Sequence, residues 1–219
     1  MAEPDLSPLG ASNLAALVLA GGQSTRLGKD KAFLDIDGRT LLERVTARLH
    51  GLFREILVVT SQRGREQIRE NGLEFSREVS LITDLYPGKG SMGGVYSGLV
   101  LSSTYYNLVV ACDMPFLSPR LVAHLTQQAQ DFDVIIPRLK GVLEPLHAIY
   151  SKGCLGPMKR LLDVEHLKII DLFPEVNVRY IEEAEIVPLD PQLLSFFNIN
   201  TAIDFQRAQE MEASLKSGN

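Results

Sequence analysis

An α/β/α sandwich built around a mainly parallel sheet is the architecture that this chain of 219 residues predicts. Three observations carry that expectation. Near-continuously apolar runs such as Glu55–Thr60 (EILVVT) suit strands buried on both faces. These runs alternate with capped helical stretches, as parallel crossovers require. Polar or glycine-rich segments, 21–31, 84–94, 113–116 and 198–200, each follow a predicted strand, so all four would converge on the edge where such sheets bind ligands.

The elements follow in order. Residues 1–13 read as a flexible leader rich in Pro, Ser and Ala, and 14–219 as a single domain. Ala15–Ala20 forms the first strand, stopped by Gly21-Gly22. After a turn region at 34–39, Thr40 and Glu43 form a capping box for a helix that carries Leu41, Leu42, Val45 and Leu49 on one face and ends near Gly51. Glu55–Thr60 is the second strand, Gly64–Asn71 a short helix, and Val79–Thr83 a third strand. In Asp84–Gly94 four glycines and Pro87 predict a loop, with a helix from Val95 to Ser102. Asn107–Ala111 is a strand, Ser118-Pro119 opens a helix to about Gln130, and strands follow at Asp133–Pro137 and Leu146–Tyr150. Lys152–Leu162 reads as a helix, and Asn177–Ile181 as a strand within a poorly patterned stretch, 163–190. Phe196–Asn200 is predicted as a final strand, and a Thr201/Asp204 capping box opens a helix to about Leu215.

Composition narrows the function. With 45% hydrophobic and 22% charged residues the chain can fill a core. Its net charge of −5 makes it no general binder of nucleic acid or anionic membrane. The cations of 63–69 are interrupted by Glu66 and Glu70, the pattern of a solvated helix face. Cys112 and Cys154 have neither pairing nor ligand spacing. No apolar stretch reaches the roughly 18 residues of a spanning helix, and no signal peptide is evident. A soluble, cytoplasmic protein is expected.

The organising stretch is Leu17–Lys31, LVLAGGQSTRLGKDK. Gly21 and Gly22 let the backbone approach an anion and aim N–H groups at it. Arg26 supplies a fork of donors for phosphate oxygens and Lys31 a compact charge. Asp30, beside Lys31, takes a positioning role. The string is neither a Walker loop nor G-x-G-x-x-G. Asp113, directly after an apolar strand in VVACDMP, suits a magnesium ion that completes its shell with phosphate oxygens and water. Its alternative is a turn or helix-entry aspartate. Asp84 opens D-x-x-P-G; two carboxylate oxygens match the adjacent N1–H and N2–H of guanine, with a plain Asx turn as the lesser alternative. His147 reads as a structural histidine within a strand. Asn198 and Asn200 would share one strand face, and they could also simply end the strand and cap the last helix. No nucleophile–base pair stands out, which fits phosphoryl chemistry driven by positioning and charge neutralisation.

The string LAGGQSTRLGKDK resembles the signature loop of nucleotidyltransferases, and within them the MobA family of molybdenum cofactor guanylyltransferases, with Leu27 in place of a methionine. Related cytidylyltransferases for the same pterin carry alanine where this chain has Gly21. CDMPFL resembles the family's second motif and NINT its N-x-N-T. Ser91-Met92 and Glu144 depart from the usual Pro-Leu and Gln. The resemblance implies a Rossmann-like sheet of the nucleotide-diphospho-sugar transferase type. It implies transfer of GMP from GTP to molybdopterin with Mg2+, and molybdoenzymes or other cofactor-biosynthesis proteins as further partners. It implies catalytic roles for Arg26, Lys31 and Asp113, with Asp113 as metal ligand. Binding roles go to Leu19, Ala20, Gly21, Gly22, Lys31, Asp84, Gly88, Asn198 and Asn200. Rival readings are a transferase for CTP or a sugar phosphate, and a non-catalytic carrier of the cofactor.

Overall fold

The first apolar run does become a strand, β1 (Leu14–Leu19), and every residue of it is buried. The computed structural model describes residues 14–21 and 30–217. The leader, and Gly22, Arg26 and the rest of 22–29, lie outside the described residues. Either side of β1 run two parallel strands in even register: Leu19 stands opposite Val59 of β4 (Glu55–Thr60) and Ala111 of β6 (Tyr106–Ala111). A two-residue hairpin, β2 (Asp35–Ile36) and β3 (Arg39–Thr40), precedes β4, turned by Asp37 and Gly38 with φ of 56° and 78°. Two successive positive φ values match the right-handed twist of a hairpin, so Asp-Gly suits this turn. The remaining strands are β5 (Val79–Thr83), β7 (Val134–Leu139), the short β8 (Val142–Leu143), β9 (His147–Ser151) and β10 (Val178–Glu182).

The strand order is β10-β7-β9-β6-β1-β4-β5, with β8 attached to β7. Only β9 and β8 run against the rest. From β1 the chain builds outward through β4 to β5, then returns to the other side of β1 as β6. The reversal puts a crevice outside the carboxyl ends of β1 and β6, where open sheets of this kind bind ligands.

Helices cover both faces because the strand side chains alternate. Ala16 and Val18 face one core, shared with Leu42, Val45 and Leu49 of α1 (Leu41–Leu49), Ile68 of α2 (Gln62–Glu70) and Leu121 and Leu125 of α4 (Pro119–Gln127). Leu17 and Leu19 face the other, filled by Met92, Val95 and Leu99 of α3 (Gly90–Leu101) and Met158 and Leu162 of α5 (Leu155–Asp163). The expected capping boxes form at Thr40/Glu43 and at Thr201/Asp204, and Ser118 with Pro119 starts α4. A short α6 (Glu183–Ile186) and the long α7 (Ala202–Ser217) complete the described chain. No helix among the described residues is long and apolar enough to cross a membrane.

Two expectations are corrected. Helix α3 begins at Gly90, not Val95, so the expected loop 84–94 ends earlier. Its glycines serve close packing: a Cβ on Gly93 would sit 2.7 Å from the Tyr86 carbonyl oxygen. The predicted final strand at Phe196–Asn200 is absent. Leu194–Phe196 is instead a 3-10 turn entered through Leu193 at φ 54°, and the Asp190 carboxylate accepts the Leu194 and Ser195 N–H groups. Local side-chain bonds of this kind compete with sheet pairing. Phe196 and Phe197, adjacent in the chain, enter different cores. Asn198 and Asn200 therefore share no strand face.

Candidate active site

At the crevice between β1 and β6 the chain gathers three polar side chains from distant segments. Asp30 caps a 3-10 turn, Lys31–Phe33, by accepting the Ala32 N–H at 3.1 Å, and this turn presents Lys31. Burial raises the Asp30 carboxyl above its usual range, partly offset by that N–H. The Lys31 ammonium donates to Asp113 Oδ2 at 2.9 Å and to Asn200 Oδ1 at 2.7 Å, across 82 and 169 residues of chain. Lys31 and Asp113 are 13% and 16% exposed, so the pair sits at the rim, screened but reachable.

Each partner is held from behind. Asp113 follows β6, whose end is tied to β1 by the Cys112 N–H donating to Leu19 O at 3.0 Å. Its carbonyl accepts the Ile199 N–H at 3.0 Å, which brings the segment of Asn200 alongside. Asn200 thus arrives by a backbone bond from an irregular segment rather than on a strand. Asn198 is turned elsewhere, its amide donating to Phe196 O at 3.3 Å.

Leu19 and Ala20 line the strand end. A Cβ on Gly21 would meet nothing among the described residues closer than 3.9 Å, so neither packing against them nor its φ demands glycine here. Thr60, which sequence reading passed over, buttresses this point: its buried hydroxyl donates to Ala20 O at 2.8 Å. The only signal for it was a hydroxyl at the end of an apolar strand.

Asp84 leaves β5, two strands from β1 and therefore about 10 Å away. It makes the Asx turn of its alternative reading, with Oδ1 accepting the Tyr86 N–H at 2.8 Å, and the Ser97 hydroxyl lies 2.7 Å from the same oxygen. Ser97, also missed, accepts the Leu85 N–H at 2.8 Å and so holds the loop at both of its first residues. Gly88 and Gly90 take φ of 84° and 60°, left-handed values that let the loop turn into α3.

Other titratable groups near this edge serve structure. His147 is buried, its Nδ1 lies 3.3 Å from Ser195 O, and burial pushes its pKa down to about 4. Burial pushes the Cys112 thiol up, which denies it thiolate character, and raises the Glu144 carboxyl. Among the described residues no three His, Cys, Asp or Glu side chains form a metal cage.

Residues 16–175 match the model of the MobA-like NTP transferase domain. The chain is 35% identical to a probable molybdenum cofactor guanylyltransferase of Pelotomaculum thermopropionicum, over 92% of this chain and 95% of that one. It is 33% identical to the molybdenum cofactor guanylyltransferase of Desulfosudis oleivorans, over 94% and 97%. The crystal structure of molybdopterin-guanine dinucleotide biosynthesis protein A from Archaeoglobus fulgidus superposes with a TM-score of 0.79 at 29% identity, covering 91% of this chain and 99% of that one. A mainly parallel sheet with this switch point, a matched domain over most of its length and relatives of one kind agree: the chain belongs to the MobA-like NTP transferase family.

Proposed function

We propose that the chain transfers GMP from GTP to the terminal phosphate of molybdopterin, giving the guanine dinucleotide cofactor and pyrophosphate. The observation that carries this reading is the meeting of Lys31, Asp113 and Asn200 at the switch point, supported by relatives that bear the name of this activity. The donor set suits a divalent ion. Two side-chain oxygens, Asp113 Oδ2 and Asn200 Oδ1, already converge on a cationic group, the Lys31 ammonium, and a magnesium-like ion can take one such protein carboxylate and fill its shell with phosphate oxygens and water. Asp113 would hold that ion, Mg2+ in our reading, which when bound would offset negative charge on the triphosphate.

The chain's own residues do the rest. Gly21 lets the backbone come close to the phosphates, with Leu19, Ala20 and Gly22 beside it. Lys31 and Arg26 neutralise charge that builds on the departing pyrophosphate. Asp84 orients the base, its carboxylate accepting N1–H and N2–H of guanine while Ser97 and Gly88 set the loop. Asn200 takes the pterin side. One ammonium touches both Asp113 and Asn200, so with these roles the nucleotide and pterin would bind against a shared wall. The pterin phosphate attacks the α-phosphorus, an O–P bond forms, and the bond to the β-phosphate oxygen breaks in line. The attacking oxygen is already anionic, so no protein base is required.

Purified protein with magnesium, GTP and molybdopterin is expected to release pyrophosphate and form the dinucleotide, with GTP preferred over CTP. Absence of both products, with folded protein and loaded pterin verified, refutes the reading.

A further inference from the structure

Lys31, Asp113 and Asn200 stand on segments that no ladder joins, so their spacing depends on what lies underneath. Beneath them is a small apolar cluster separate from the two sheet cores. The Lys31 segment sends Leu34 and Ile36 into it, the Asp113 segment Phe116, and the Asn200 segment Ile199. Helix α7, which starts two residues after Asn200, closes the cluster with Phe205, Ala208 and Met211.

One side chain locks this arrangement. Arg44 of α1 is 9% exposed; its Nε and Nη2 donate to the Ile36 carbonyl at 3.0 and 2.7 Å, and its Nη1 meets Glu212 of α7 at 3.0 Å. The rigid guanidinium fork joins α1, the hairpin that follows Lys31, and the helix that follows Asn200. Glu212 is itself 14% exposed, so separating the pair would leave poorly solvated charges uncompensated. A second tie between the same helix and hairpin, Lys216 with Asp37, is exposed and contributes little.

We propose that α7, latched by the Arg44–Glu212 pair, sets the spacing of Lys31, Asp113 and Asn200, so that Arg44 and Glu212 are positioning residues for the transfer. This rests on reading those three residues as the polyphosphate and pterin site. Small displacements of positioned groups are costly in rate, which is why a clamp distant from the phosphates would matter.

The test compares the parent chain with Glu212→Ala and Glu212→Gln in steady-state kinetics with magnesium, GTP and molybdopterin, and in amide hydrogen exchange. Glu212→Ala lowers kcat by about tenfold or more with a smaller change in KM for GTP. It also speeds exchange at Ile199, whose N–H bonds the Asp113 carbonyl, while β1 and β6 keep their protection. Glu212→Gln, which retains an oxygen for Arg44, stays within about threefold of the parent rate. Parent kinetics with unchanged exchange at Ile199 in Glu212→Ala overturn the proposal. A loss of protection spread evenly over the central sheet also overturns it, since the pair would then be a general stabiliser. Exchange needs no turnover, so a parent chain without guanylyl transfer refutes the functional reading while the Ile199 amide still decides the latch.

Discussion

Replacing His147 with leucine should change how the protein responds to acid, and by a predictable amount. The imidazole is fully buried against Phe196, 4.9 Å between ring centroids. A carbonyl can only accept, so the 3.3 Å contact with Ser195 O places the proton on Nδ1, and Nε2 has no partner. Burial lowers its pKa from 6.5 to about 4, against the opposing pull of the Ser195 carbonyl and of Asp190. A folded pKa below the unfolded one means that the unfolded chain takes up a proton first. Stability from this group is complete above pH 6.5 and is lost as the pH falls toward 4. The full shift, 6.5 minus about 4, corresponds to about 3 kcal/mol, most of which is lost by pH 4.5. His147→Leu cannot titrate, but loses the bond to Ser195, about 1 kcal/mol. Urea unfolding of both proteins from pH 8 to 4.5 should therefore give curves that cross: the variant weaker at pH 8 and stronger at pH 4.5. Parallel curves would refute the argument, because they would show that His147 is not the group that charges.

Three further outcomes follow from the site. Asp113→Asn keeps shape but removes the charge facing Lys31, and is expected to lower turnover by a hundredfold or more, about 3 kcal/mol, with little change in the urea midpoint, as read by pyrophosphate release. Gly93→Ala places a methyl group 2.7 Å from the Tyr86 carbonyl oxygen, so the Asp84 loop must shift; unfolding measurements should show a loss of about 1–3 kcal/mol, and calorimetry a weaker affinity for GTP. Thr60→Val removes the donor to the Ala20 carbonyl and leaves it buried without its bond, costing about 1–3 kcal/mol in chemical denaturation.

Much of the fold was legible in the pattern of residues because buried parallel strands declare themselves locally. EILVVT and VSLIT became β4 and β5 at the expected residues, and the two capping boxes opened α1 and α7. The signature loop and CDMPFL pointed to Lys31 and Asp113, which do meet. Less legible were places where packing overrode local signals. Glycines that read as a loop instead opened α3 because Gly93 must lie against the Tyr86 carbonyl. Phe196–Asn200 is expected as a strand, yet Asp190 holds the residues just before it in a 3-10 turn that runs to Phe196. The roles of Ser97 and Arg44 left no local signal, and that of Thr60 no more than a hydroxyl at a strand end, since each acts on a carbonyl or carboxylate distant in the chain or across a turn.

By itself, then, the order of residues determined the strands, their caps and the chemistry available at each strand end, since these depend on neighbours a few positions apart. Tertiary structure alone decided that an ammonium at residue 31 would lie between a carboxylate 82 residues away and an amide 169 residues away. That juxtaposition is set by the order of strands in the sheet and by the apolar cluster under α7, both of which require burial against residues that no local pattern can specify.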